Sequence, residues 1–83
     1  MQVQGHEIDA AAIVHLHGVS ITQLAGAMRP ARHRVTVSNH LRGVHEAPEE
    51  MYVAFGRLTG CGAAVDLLRQ VVAANFEARR SAS

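Results

Sequence analysis

The chain has 83 residues, of which 48% are hydrophobic, which suits one small folded domain rather than a disordered segment. Its single cysteine excludes an internal disulfide framework and any zinc site built from several cysteines. No apolar run approaches the ~20 residues that span a bilayer, and no signal-peptide pattern opens the sequence, so a cytoplasmic protein is expected.

The net charge of +1 conceals an uneven distribution. Between Ala10 and His45 there is no Asp or Glu, and four arginines give this segment a formal charge of +4. The other four arginines are outweighed by seven acids, which leaves the rest of the chain at −3. The arginines of the basic segment are Arg29, Arg32, Arg34 and Arg42. Without a bound anion they would repel one another, and a guanidinium group suits phosphate and guanine edges.

Two helices are predicted in the first third of the chain. The first is expected over residues 7–17 and ends at Gly18. Its predicted apolar side consists of Ile8, Ala11, Ala12 and Leu16. Ser20 is a favourable N-cap for a second helix over residues 21–28, which Pro30 terminates. Residues 29–33 are then predicted to form a basic turn.

A third helix is predicted over about residues 34–42 and ends at Gly43. Val37 and Leu41 lie four apart and are expected to face inward. This arrangement leaves four polar or charged residues outside: Arg34, Ser38, Asn39 and Arg42. The β-branched residues 35–37 also fit a strand, but a lone strand would have no partner.

Two more helices complete an all-α prediction with five helices. Pro48 is expected in the first turn of the fourth helix, which continues to about Leu58. Glycines at 60 and 62 interrupt the chain, and a long fifth helix is predicted over residues 63–79. Its apolar stripe contains Val65, Leu68, Val71, Val72 and Phe76, and Leu67 widens it.

The order of these elements resembles the helix-turn-helix of lambda-repressor-like domains. Residues 21–25 (ITQLA) are similar to the opening of the first helix of that motif, in which the alanine allows close packing. Residues 36–38 (TVS), followed by Leu41 and Gly43, resemble the recognition helix of the lactose-repressor type. Residues 48–60 are similar to the helix that follows. Small phage regulators of the Ner type share this general shape.

The resemblance also has two departures from the motif. The resemblance covers about residues 8–60. In the motif a glycine follows the alanine by four residues, and that position is Arg29 in this sequence. The spacing between Ala25 and Val37 is about two residues longer than in the family, which indicates either a turn enlarged at residues 29–32 or a different register of the motif.

The resemblance and the charge pattern together imply a sequence-specific regulator of transcription that binds double-stranded DNA, of phage or mobile-element origin. The third helix would enter the major groove. Arg34, Ser38 and Asn39 are predicted to contact base edges, and Arg29, Arg32 and Arg42 to contact phosphates. No enzymatic activity, cofactor or metal is expected, because neither a phosphate loop nor a nucleophile constellation is present.

Residues 1–60 are predicted to form the DNA-binding domain and residues 61–83 an oligomerisation element. A small core is not expected to cover the whole stripe of the fifth helix, so a homodimer or larger homo-oligomer is predicted. The predicted interface consists of Val65, Leu68, Val72 and Phe76. The alternative function is a small helical module that binds another protein without binding DNA, in which the arginines would contact an acidic partner.

Overall fold

The computed structural model describes residues 9–82, and within that range the chain forms five α-helices and no strand. The all-α prediction with five helices is therefore confirmed. In chain order the helices are α1 (Ala10–Leu16), α2 (Ile21–Ala27), α3 (Arg34–Arg42), α4 (Glu49–Thr59) and α5 (Gly62–Ala82). Glu7 and Ile8, which the sequence analysis placed in the first helix, lie outside the described residues.

Helix α1 buries a different face from the predicted one. Asp9 caps its N-terminus, and its carboxylate accepts hydrogen bonds from the backbone N–H groups of Ala11 and Ala12. The buried residues are Ala10, Ile13 and Val14, whereas Leu16 is 82% exposed. The prediction that Ala12 and Leu16 face inward is thus wrong. The two larger β-branched side chains, Ile13 and Val14, remove more apolar area from water when they face the core.

Helix α2 begins and packs as predicted. Ser20 forms a capping box with Gln23, in which the Ser20 hydroxyl accepts from the Gln23 N–H at 3.0 Å. Leu24 and Ala25 are buried. The turn to α3 occupies residues 28–33, longer than the ~3–4 residues usual in a helix-turn-helix. It is closed by a hydrogen bond from the Arg32 N–H to the Ala25 carbonyl at 2.9 Å.

The C-terminus of α3 is held by α5. Gly43 ends α3 with a positive φ of 82°. The side-chain amide of Asn75 donates to the Leu41 carbonyl at 3.1 Å, and Arg79 Nε donates to the Arg42 carbonyl at 2.7 Å. Two carbonyl groups at the C-terminal end of α3 therefore find their donors on another helix.

Helix α4 packs against α2 and α5. Pro48 is its N-cap, one position earlier than the predicted first-turn role. Met51, Ala54 and Phe55 are almost completely buried. The guanidinium group of Arg57 donates to the carbonyl of Ala27, the last residue of α2, and so ties α4 to the end of that helix.

Helix α5 belongs to the same core as the other helices. It packs against α1, α3 and α4, and its Leu68 and Val72 are 0% and 2% exposed. Its 21 residues run ~31 Å at ~1.5 Å per residue, close to the 35 Å length of the molecule. Because three helices lie along the predicted stripe, Leu68, Val71 and Val72 are buried, whereas Val65 and Phe76 are partly exposed and Leu67 is exposed. A boundary at residue 60 would therefore divide a single hydrophobic core.

Burial corrects the predicted interface as well. Leu68 and Val72 are packed inside their own domain, so neither side chain offers surface to a second subunit. Of the other two predicted interface residues, Val65 packs partly against the core and Phe76 is half-buried. Within residues 9–82 no single helix is long and apolar enough to cross a membrane, and the pair that satisfies the criterion together, α1 and α2, is bent by 86°.

We therefore expect Val72→Glu to unfold the domain rather than to release folded monomers. An uncompensated buried charge costs about 3–5 kcal/mol, comparable with the whole stability of a small domain. Urea denaturation followed by circular dichroism measures the loss. Leu67→Glu, on the same helix at a 47% exposed position, is the control and should change the free energy of unfolding by less than about 0.5 kcal/mol. A Val72→Glu protein that stays fully folded would contradict this packing.

Candidate nucleic-acid interface

The exposed face of α3 is a row of three residues. Successive residues of an α-helix are rotated by about 100°, and the buried side chains of α3 are Val37, His40 and Leu41. The direction opposite to these contains Val35, Asn39 and Arg42, hereafter the outward row. Their spacing of four and then three residues stacks them along one side of the helix.

The outward row combines apolar, amide and cationic groups. Val35 is 52% exposed, an unusual environment for a valine. Arg42 is exposed and its Nη1 donates to Asn39 Oδ1 at 3.4 Å, a long contact that leaves most of both groups' hydrogen-bonding capacity unused. These are the functional groups that contact base edges in the major groove, where a methyl group also identifies thymine.

The predicted base-contacting residues are not all in this row. Asn39 lies at its centre. Arg34 is exposed at the first residue of α3, on one flank of the row. Ser38 lies on that same flank but is half-buried and lines a cleft between α1, α3 and α5. Sequence reasoning missed Val35, although its position four residues before Asn39 on the same helix was the available signal.

The predicted phosphate-contacting residues lie at the two ends of α3. Arg29 and Arg32 are exposed in the turn before the helix, and Arg42 is exposed at its last residue. Arg32 Nε donates to the Pro30 carbonyl at 3.3 Å, which folds its side chain back toward the turn. From Arg34 to Arg42 the helix rises by ~12 Å, close to the ~12 Å width of the major groove.

Three glutamates of the described chain form ion pairs with arginines outside the basic segment. Glu49 accepts two hydrogen bonds from Arg69, at 2.7 and 2.9 Å, and these bonds lower the pKa of the Glu49 carboxyl. Glu50 pairs with Arg57 at 3.4 Å, and Glu77 with Arg80 at 3.2 Å. Over residues 9–82, five arginines make no ion pair with a carboxylate: Arg29, Arg32, Arg34, Arg42 and Arg79.

Arg79 is the member of this set that the sequence analysis left out of the site. It lies near the end of α5, 37 residues from Arg42, and the hydrogen bond to the Arg42 carbonyl brings it to the end of α3. Nothing in the local sequence distinguishes it from its neighbour Arg80, which instead pairs with Glu77 and lies over the Phe76 ring at 5.7 Å.

Two histidines of the basic segment have structural positions on α3. His33 is the N-cap, and its Nδ1 accepts a hydrogen bond from the Val35 N–H at 3.1 Å. His40 is only 7% exposed, with Nδ1 3.4 Å from the His45 carbonyl oxygen. Its buried Nε2 has no hydrogen-bond partner among the described residues. His40 thus faces the core rather than the outward row.

Comparison of the chain with protein-family models, with curated proteins and with solved structures finds no match. In the described part of the chain, no three His, Cys, Asp or Glu side chains lie close enough together to hold a metal ion. The functional argument therefore depends on the exposed face of α3 and on the arginines around it.

Proposed function

We propose that this protein is a transcriptional regulator that binds double-stranded DNA in a sequence-specific manner through a lambda-repressor-like helix-turn-helix. Helix α2 and helix α3 are the two helices of the motif, and α3 is the recognition helix in the major groove. The observation that carries the proposal is the exposed face of α3, which has no acid and has unpaired arginines at both ends.

The distribution of ion pairs favours an anionic partner. All three arginines that pair with described carboxylates belong to α4 or α5, whereas the turn before α3 and α3 itself contain only unpaired ones. Such a concentration of like charge is stabilised by a polyanion, and DNA provides one negative charge per ~1.7 Å of helix axis.

The roles of individual residues follow from their positions. Arg34 and Asn39 would contact base edges, and Val35 adds an apolar group beside them. Arg29, Arg32 and Arg42 would hold phosphates on either side of the groove. Ser38 is reassigned from base contact to the cleft beside α3, because it lines that cleft and lies outside the outward row, whereas the equally half-buried Asn39 lies within the row.

Pairing of two subunits is part of the proposal. A single recognition helix presents few side chains, and linking two of them raises the effective concentration of the second contact. In a homodimer the two copies of α3 would lie about 34 Å apart, one turn of DNA. Because Leu68 and Val72 are buried, the pairing surface would use the partly exposed Val65 and Phe76, which lie on the same side of α5. A cytoplasmic location, where such a regulator would meet its DNA, completes the proposal.

The proposal is tested by the salt dependence of duplex binding. We expect weak binding of an arbitrary duplex at low salt, measured by fluorescence anisotropy. The slope of log affinity against log salt should be about −3 per subunit for three phosphate contacts. Selection of bound duplexes from a random pool should then yield a common sequence. A protein-docking module, the alternative function, would show neither binding nor enrichment, and that result would refute the proposal.

Two arginine variants are expected to behave differently. Arg32→Ala should weaken binding to all duplexes equally and reduce the magnitude of the salt slope by about one, because a phosphate contact is lost. Arg34→Ala should weaken binding by about 1–3 kcal/mol for duplexes that carry the preferred base at one position, and it should relax the base preference at that position. Binding to the selected sequence and to its single-base variants measures both effects. Equal, sequence-independent losses would show that Arg34 is not a base-reading residue.

A further inference from the structure

Arg79 is fixed at the end of the recognition helix by a single hydrogen bond. Its Nε donates to the Arg42 carbonyl at 2.7 Å. A guanidinium group carries five N–H donors, so this bond leaves four of them available for other acceptors. No carboxylate of residues 9–82 forms an ion pair with Arg79. The side chain is therefore positioned but not neutralised.

Arg42 and Arg79 both line the cleft between α1, α3 and α5, whose volume is about 390 Å³. Ser38 adds a hydroxyl donor to its wall. Asp9 is the acid of the lining, and its carboxylate already accepts the two backbone N–H groups at the start of α1. With two arginines against one acid the cleft is cationic, and its donors suit an oxyanion.

The cleft lies directly beside the outward row. Arg42 belongs to both, and Ser38 lies on the flank of α3 between them. A helix in the major groove has a phosphate backbone on each side, so a group on this flank at the end of α3 would meet a backbone phosphate.

We infer that the cleft between α1, α3 and α5 is an additional phosphate-binding site, in which Arg79 of α5 contacts a backbone phosphate of duplex DNA next to the phosphate that Arg42 of α3 contacts, a fourth contact for each subunit. The inference rests on the proposed function. It makes α5 part of the DNA interface as well as part of the core. Arg29 and Arg32 contact the backbone at the start of α3, and the Arg42–Arg79 pair contacts it at the end.

Arg79→Gln tests the inference, and Arg80→Gln is its matched control. The two positions are adjacent on α5 and lose the same charge, but Arg80 is paired with Glu77. The slope of log affinity against log salt should fall by about one for Arg79→Gln and stay unchanged for Arg80→Gln. Equal slopes for Arg79→Gln and the unmodified protein would overturn the inference, as would equal decreases in both variants.

A purely structural role for Arg79, as a cap for α3, predicts different results. It predicts that Arg79→Lys weakens DNA binding as much as Arg79→Gln does, with no change of salt slope. A phosphate contact predicts that the lysine variant keeps the slope of the unmodified protein, because the cation remains. Urea denaturation of each variant shows whether the protein in the binding assay is folded. Loss of affinity at an unchanged slope would reject the phosphate contact.

A titration with inorganic phosphate separates the inference from the proposed function. The Nε–Hε signals of the arginines are followed in nitrogen-15 spectra of the unmodified protein. A shift of the Arg42 and Arg79 signals, with those of Arg80 unchanged, supports an anion site in the cleft even if the protein fails to bind duplex DNA. Uniform small shifts of all arginine signals would overturn the site, whatever the outcome with DNA.

Discussion

Gly43→Ala is expected to lower the free energy of unfolding by about 2–5 kcal/mol. Gly43 has a φ of 82°, and a left-handed backbone costs a residue with a Cβ atom about 1–2 kcal/mol. A Cβ atom there would also lie 2.5 Å from the carbonyl carbon of Asn75 and 2.6 Å from the backbone nitrogen of Phe76. Because both are backbone atoms, α5 itself would have to move, at a further cost of about 1–3 kcal/mol.

Gly60→Ala is the control that separates these two costs. Gly60 has a φ of 63°, yet a Cβ atom added there would meet nothing within 4 Å. Only the conformational cost of about 1–2 kcal/mol should remain. Urea denaturation of both variants gives the comparison. Equal decreases in the free energy of unfolding would mean that the backbone of α5 does not lie in contact with Gly43 at the end of α3.

Gly43→Ala also tests whether the position of α5 affects DNA binding. If α5 shifts away from Gly43, Arg79 leaves the end of α3, because the two contacts lie within one turn of α5. Any Gly43→Ala protein that remains folded at low temperature should then bind duplex DNA with a smaller salt slope. Gly60→Ala should keep the original slope, since a Cβ atom at Gly60 would meet nothing within 4 Å and would leave α5 in place.

Asn39→Glu is expected to weaken duplex binding by about 2–3 kcal/mol, roughly 30- to 150-fold. Asn39 lies at the centre of the outward row, so the change removes an amide that contacts bases and places a carboxylate against the DNA. The new carboxylate would also pair with Arg42, whose Nη1 already lies 3.4 Å from Asn39 Oδ1. Titration of labelled duplex at ~0.1 M salt measures the loss.

Val53→Glu is the matched control for the charge. Val53 is 43% exposed on α4, and the substitution adds the same carboxylate to the protein. It should change duplex binding by no more than about threefold, because added charge away from the interface is screened beyond ~10 Å at moderate salt. Similar losses from Asn39→Glu and Val53→Glu would mean that only net charge matters and that α3 is not the recognition helix.

The sequence by itself determined the start of α2 and the ends of α3 and α4. Ser20, Gly43 and Gly60 occupy the caps that their residue types favour, and their roles depend on hydrogen bonds and dihedral angles within a few residues. Val37 and Leu41 were likewise predicted to face inward from spacing alone, and both are buried. The concentration of arginines around α3 is also visible in the sequence, because four of them lie between Ala10 and His45, where there is no Asp or Glu.

The tertiary structure decided which faces are covered and which arginines are neutralised. Leu16 is exposed and Val72 is buried because helices distant in the sequence lie beside α5 but not beside the end of α1. The Arg69–Glu49 pair joins residues 20 apart, and the Arg79 contact with Arg42 joins residues 37 apart. Composition and periodicity describe local preferences, whereas these contacts depend on how the helices pack, so the role of Arg79 became visible only in the folded chain.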